Sequence, residues 1–125
     1  MSHQNVDVVK RIYELWDAGE SAGELIDPAL EYVNPPNAVE AGVKVGRRSL
    51  AAIREVYPNF RVEPERFVDA GDEVIVIGVA RGTSPSGIET QWRQGYIWTI
   101  RDGRAVRFRW FNDPGEALKA VRIDE

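Results

Sequence analysis

The chain has 125 residues, 43% of them hydrophobic and 29% charged, the balance of a folded domain with one core rather than of a disordered segment. The 16 Lys and Arg against 20 Asp and Glu leave a net charge of −4, which argues against nucleic acid as a partner. No cysteine is present, which excludes disulfides, thiolate metal sites and thiol nucleophiles. The start lacks the order of a signal peptide and no apolar run approaches the roughly 18 residues that cross a bilayer, so a cytoplasmic protein without a membrane partner is expected.

Over residues 5–18, Val6, Val9, Tyr13 and Trp16, widened by Val8, Ile12 and Leu15, follow helical spacing. Asn5 is suited to cap the start of this helix, and Gly19 to stop it in the left-handed region. Ser21 with Glu24 forms a capping box that predicts a second helix of one or two turns through Ile26, ended by Asp27 and Pro28. A strand over residues 30–34 stops at Pro35 and Pro36, which offer no amide to a ladder, and a loop follows. Helical spacing returns from Arg47 through Leu50, Ile53, Val56 and Tyr57, up to Pro58.

Segments 62–68, 74–80, 87–100 and 105–111 are rich in β-branched and aromatic residues. They are separated by Ala70-Gly71-Asp72, Ser84-Pro85-Ser86-Gly87 and Asp102-Gly103. They read as four antiparallel strands, with Asp102-Gly103 the clearest hairpin signal because the pair accepts positive φ. Asp113 and Pro114 then open a last helix over residues 113–121. Helices followed by a long sheet make an α+β domain, one unit over residues 1–125, in which the amphipathic helices cover one face of a curved, mostly antiparallel sheet and form a cone. Such a cone is filled either by side chains or by a ligand.

This order of elements, with "AGE" after the first helix, "YVNPP", "GRRSLAAIREVYPNF", "RDGRAV" and the closing "RFRWFND", resembles the nuclear transport factor 2-like fold and, within it, the SnoaL-like branch. The resemblance implies the cone and a small-molecule pocket inside it. Members include polyketide cyclases, ketosteroid isomerase and limonene epoxide hydrolase, and many that only bind or dimerise. Where the isomerase has its general-base Asp before a proline, this chain has Asn34, whose amide accepts no proton at useful pH. The isomerase's oxyanion-binding pair falls on Ile12 and Tyr96, of which Tyr96 still donates a hydrogen bond. The epoxide hydrolase's water-positioning Tyr and Asn match Tyr32 and Asn34, while its acid–arginine–base set falls near Ala80, Gly78 and Trp110, none of which protonates an epoxide. The resemblance therefore implies Tyr32, Asn34 and Tyr96 as the hydrogen-bonding groups of a cyclase, isomerase or hydratase. Glu40 and Asp113 are the acids best placed to approach the mouth. A non-catalytic binder, or a homodimeric module with a filled cone, is the alternative.

Strand side chains alternate faces, so with Tyr32 and Asn34 pointing inward the inward set can be named. It comprises Val74, Val76, Gly78 and Ala80, then Trp92, Gln94, Tyr96 and Trp98, then Phe108, Trp110 and Asn112. A bulge in the long strand would reverse part of that set. Tyr13 or Trp16 joins from the first helix. The expected ligand contacts are Tyr13, Trp16, Trp92, Gln94, Trp98, Phe108, Trp110 and Asn112, with Gly78 and Ala80 leaving room opposite the rings. Their polar edges exceed what a dry core keeps unpaired, which favours a pocket for a small apolar or aromatic molecule. No cofactor and no metal is expected, the one histidine, His3, being close to the terminus. Arg93, Arg107 and Arg109 have the parity of the outer sheet face. That face is either solvated or, as the resemblance implies, the contact with a second copy of the chain, with Phe111 and Glu63 or Glu65 in the contact.

Overall fold

A computed structural model describes residues 3–35, 42–46, 50 and 59–123. Among these the order is α1 (His3–Asp17), a 3-10 turn (Gly23–Leu25), β1 (Ile26–Asn34), β2 (Gly42–Val45), β3 (Arg61–Ala70), β4 (Glu73–Thr83), β5 (Glu89–Arg101), β6 (Arg104–Phe111) and α2 (Pro114–Ile123). Apart from Leu50, the helix expected between Arg47 and Tyr57 lies outside the described residues, as does Glu40.

The apolar stripe of α1 buries Val6, Val9, Ile12 and Tyr13. Gly19, at φ 77°, ends the helix, its amide bonding to the Trp16 carbonyl and that of Glu20 to Leu15. Asn5 is not the N-cap: the helix already starts at His3, and the Asn5 side-chain amide instead donates to the Gly71 carbonyl at 2.9 Å, tying α1 to the β3–β4 turn. The second helix shrinks to the three-residue 3-10 turn, with Ser21 Oγ accepting from the Gly23 amide at 3.1 Å. β1 begins four residues before the expected strand. Pro28 is tolerated because it sits in a register irregularity between Ile26 and Glu31, where Asp27 Oδ1 takes the Ala29 amide at 2.8 Å. At its other end β1 stops before Pro35, as the missing amide requires.

Six strands form one sheet in the order β2-β1-β6-β5-β4-β3. The one parallel pair is β1 with β6; the others are antiparallel. β2 replaces part of the expected loop as a short edge strand whose residues are all exposed. β4 and β5 pair without interruption from Glu73↔Thr99 to Thr83↔Glu89, so the alternation of faces along β5 is unbroken through the region that matters for the site. Irregularities fall elsewhere, between Pro64 and Arg66 on β3 and at the far end of the β5–β6 pair.

α1 lies on the inner face, over Val74, Val76, Tyr96, Trp98 and Phe108. The helices do not all cover one face, however. α2 packs on the outer face, where Ala117 and Val121 cluster with Ile75, Ile77 and Ile97. Gly95 permits that approach, since a Cβ there would stand 2.6 Å from Ala117 Cβ. Asp113 caps α2, its Oδ1 accepting from the Gly115 amide at 2.8 Å. The outer-face arginines are paired within the chain: Arg93 with Glu65 at 2.9 Å, Arg107 with Glu31 at 3.0 Å and Arg109 with Glu73 at 3.0 Å.

Candidate functional site: an aromatic cavity between α1 and the sheet

Between α1 and the inner sheet face lies a cavity of about 180 Å³. β5 and β6 supply one wall, Trp92, Gln94 and Tyr96 facing Phe108, Trp110 and Asn112 across adjacent strands. β1 adds Tyr32, and α1 adds Tyr13 and Trp16. Among the described residues Leu50, Phe60 and Val62 also line it and were absent from the sequence-derived set. Val62 was recoverable from pairing, because it stands opposite Ala80 in the β3–β4 register and so shares its face. Phe60 precedes β3 and carries no periodic signal; it meets Trp92 edge to face at 6.3 Å between ring centroids.

Trp98, Asn34, Gly78 and Ala80, all expected to point inward, are not among the described residues that line the cavity. Trp98 is fully buried, and its indole N–H donates to the Tyr13 hydroxyl at 3.1 Å. Asn34 is not on the cavity surface; its Oδ1 accepts the Trp110 indole N–H at 2.7 Å across the parallel β1–β6 pair. Gly78 does not open space for a ligand, because a Cβ there would stand 2.8 Å from the Glu63 carbonyl: the residue is small to admit β3. Ala80, also fully buried, faces Val62.

The polar groups form short chains. The Tyr96 hydroxyl donates to Gln94 Oε1 at 2.7 Å, and Gln94 Nε2 donates to Asn112 Oδ1 at 3.3 Å, linking a buried phenol to the exposed rim. The Tyr32 hydroxyl makes no hydrogen bond among the described residues, although its ring packs on Phe108 with centroids 5.3 Å apart. Burial pushes the Tyr32 phenol up to about 12. Burial raises Tyr13 further, against the opposing effect of the Trp98 hydrogen bond, and raises Tyr96 further still, helped by the neighbouring Tyr13 and Tyr32. All three are therefore neutral hydroxyls at physiological pH and unsuited to act as bases; Tyr13 and Tyr32 keep a proton to donate to a ligand oxygen, whereas the Tyr96 proton goes to Gln94.

No carboxylate, imidazole or ammonium group lines this cavity among the described residues. Asp113, an expected acid near the mouth, is occupied as the cap of α2. Among the described residues no three His, Cys, Asp or Glu side chains come together as a metal site, and no helix is long and apolar enough to cross a membrane.

A curved sheet closed by an N-terminal helix around an aromatic cavity defines the nuclear transport factor 2-like class of α+β cones. The SnoaL-like domain model matches residues 9–108, and the chain belongs to that family. No curated protein matches it. Among solved structures, it is similar to an NTF2-like protein from Burkholderia pseudomallei K96243, at 24% identity and a TM-score of 0.73, over 94% of this chain and 97% of that one. It is also similar to TerC co-crystallized with polyporic acid, at 24% identity and 0.74, over 95% and 98% of the two chains. A protein from Jannaschia sp. CCS1, provisionally named a SnoaL-like polyketide cyclase, is similar at 24% identity and 0.71, over 96% and 92%.

Proposed function

We propose that the domain binds a small, largely apolar ring compound in its aromatic cavity and orients it through a ligand oxygen that accepts from the Tyr32 hydroxyl. The observation that carries this reading is the Tyr32 hydroxyl, which makes no hydrogen bond among the described residues, is held neutral by burial and sits among rings that stack on flat molecules. The cavity volume suits one ring with substituents, since about 150 Å³ already accommodates benzene. The related TerC was crystallized with polyporic acid, which supports ligand binding in this fold.

A second reading is cyclase-, isomerase- or hydratase-type catalysis, with Tyr32 stabilising a developing oxyanion, Tyr96 joining it once its proton turns from Gln94, and Asn34 positioning Trp110. The Tyr96–Gln94–Asn112 chain favours it, because it offers a hydrogen-bonded path from a buried phenol to solvent. The two readings part on the α-protons of a bound ketone. With 4-bromoacetophenone in deuterated buffer, binding alone predicts a thermal upshift with methyl-proton exchange at the buffer rate, whereas catalysis predicts accelerated exchange.

We further propose a homodimer through the outer sheet face. α2 occupies the β4–β5 part of that face, and Val43 and Val45 of β2 stand exposed at its other side. Glu63 and Glu65, already paired with Arg81 and Arg93 of the same chain, are not needed in such a contact.

A further inference from the structure

A smaller chamber of about 80 Å³ adjoins the aromatic cavity, sharing Tyr13, Trp16, Phe60 and Val62 with it and adding two charged residues, Asp17 and Arg61. Asp17 is the last residue of α1, a helix with no basic residue in its last turn. Its carboxylate therefore adds to the partial negative charge of the helix C-terminus, an unfavourable pairing in the free protein and a favourable one for an incoming cation. The surrounding charges among the described residues are already engaged. Glu14 pairs with Arg11 at 3.6 Å, Arg61 with Glu63 at 3.5 Å, and Lys10 Nζ lies 5.4 Å from the Phe67 ring centroid. Asp17 itself makes no ion pair or hydrogen bond among the described residues. Trp16 and Phe60, which line the same chamber, present aromatic rings that attract cations.

We propose that this chamber is a cation subsite: the ligand is a ring compound bearing a short amine arm, its apolar body in the aromatic cavity and its ammonium group against Asp17 and the Trp16 ring. The inference rests on the ligand-binding reading above and narrows it to a ligand class. An anionic arm would meet Asp17 and the α1 C-terminus, and Arg61 is drawn toward Glu63.

Isothermal titration of the full chain at low ionic strength with 4-bromobenzylamine, 4-bromobenzyl alcohol and 4-bromobenzoate tests it, in the parent protein and in Asp17→Asn. Asp17 is exposed, so the amide is accommodated without repacking. The expected result is an amine that binds about five-fold more tightly than the alcohol, an advantage lost in Asp17→Asn while the alcohol's affinity stays the same. Alcohol and amine binding equally would overturn the subsite and leave the cavity reading standing. So would an advantage that survives Asp17→Asn, or tightest binding by the carboxylate, which would point to Arg61 instead. If none of the three binds, the cavity reading fails and the subsite fails with it.

Discussion

The Trp110 indole N–H donates to Asn34 Oδ1 at 2.7 Å, so the amide that the resemblance sets at the isomerase's general-base position serves here to anchor a ring of the cavity wall. Asn34→Ala leaves that N–H without its acceptor and is expected to destabilise the fold by about 1 kcal/mol, a melting-temperature fall of about 4 °C. Asn34→Asp keeps an acceptor and should preserve most of the stability. Equal losses in the two variants, measured by chemical denaturation, would show that the hydrogen bond is not what Asn34 contributes.

Tyr32→Phe keeps the ring on Phe108 and removes only the hydroxyl. Because that hydroxyl has no partner among the described residues, stability should be unchanged within about 0.5 kcal/mol. Affinity for 4-bromoacetophenone should fall roughly five-fold, and affinity for 1-bromo-4-ethylbenzene, which lacks the acceptor, should not. Calorimetric titration of both compounds separates loss of the hydrogen bond from loss of shape.

Gly95 beneath Ala117 makes α2 sensitive to a single methyl group. Gly95→Ala is expected to cost about 1–3 kcal/mol by overpacking, read as a lower denaturation midpoint. Ala117→Gly in the same chain should return part of that loss, since it removes the opposing Cβ. If it does not, helix and strand are not in the contact described.

Alkaline pH should unfold the protein before its buried tyrosines titrate. In the unfolded chain a phenol ionises near pH 10, whereas burial holds Tyr32 at about 12 and raises Tyr13 and Tyr96 as well. The native state thus retains protons that the unfolded state has released. Stability from these groups is complete below about pH 10 and declines as pH rises through the raised native values. Absorbance at about 295 nm followed with circular dichroism should show tyrosinate appearing together with loss of structure. Full ionisation of a still-folded protein would contradict the burial of these three residues.

The inner face of the site was legible in the sequence because β5 pairs with β4 without a bulge from Glu89 to Thr99, which keeps Trp92, Gln94, Tyr96 and Trp98 on one side. Parity gives a side chain's face and not its depth, so it did not separate Trp98, sealed behind Tyr13, from Trp92 at the surface of the cavity. β2 escaped notice because four exposed residues carry no burial pattern. Asn5 misled because its side chain serves a contact with Gly71, 66 residues away, that no local capping rule anticipates. The small size of Gly78 suggested room for a ligand, but the room is taken by the β3 backbone at its irregularity near Pro64.

The cavity between α1 and the inner sheet face is proposed to hold a ring compound whose oxygen accepts from Tyr32. A crystal structure with 4-bromoacetophenone, located by the anomalous signal of its bromine, tests this directly. The bromine is expected among the cavity rings and the carbonyl oxygen within about 3.2 Å of the Tyr32 hydroxyl. A cavity filled by its own side chains, or a ligand seated there with its oxygen turned away from Tyr32, would contradict it.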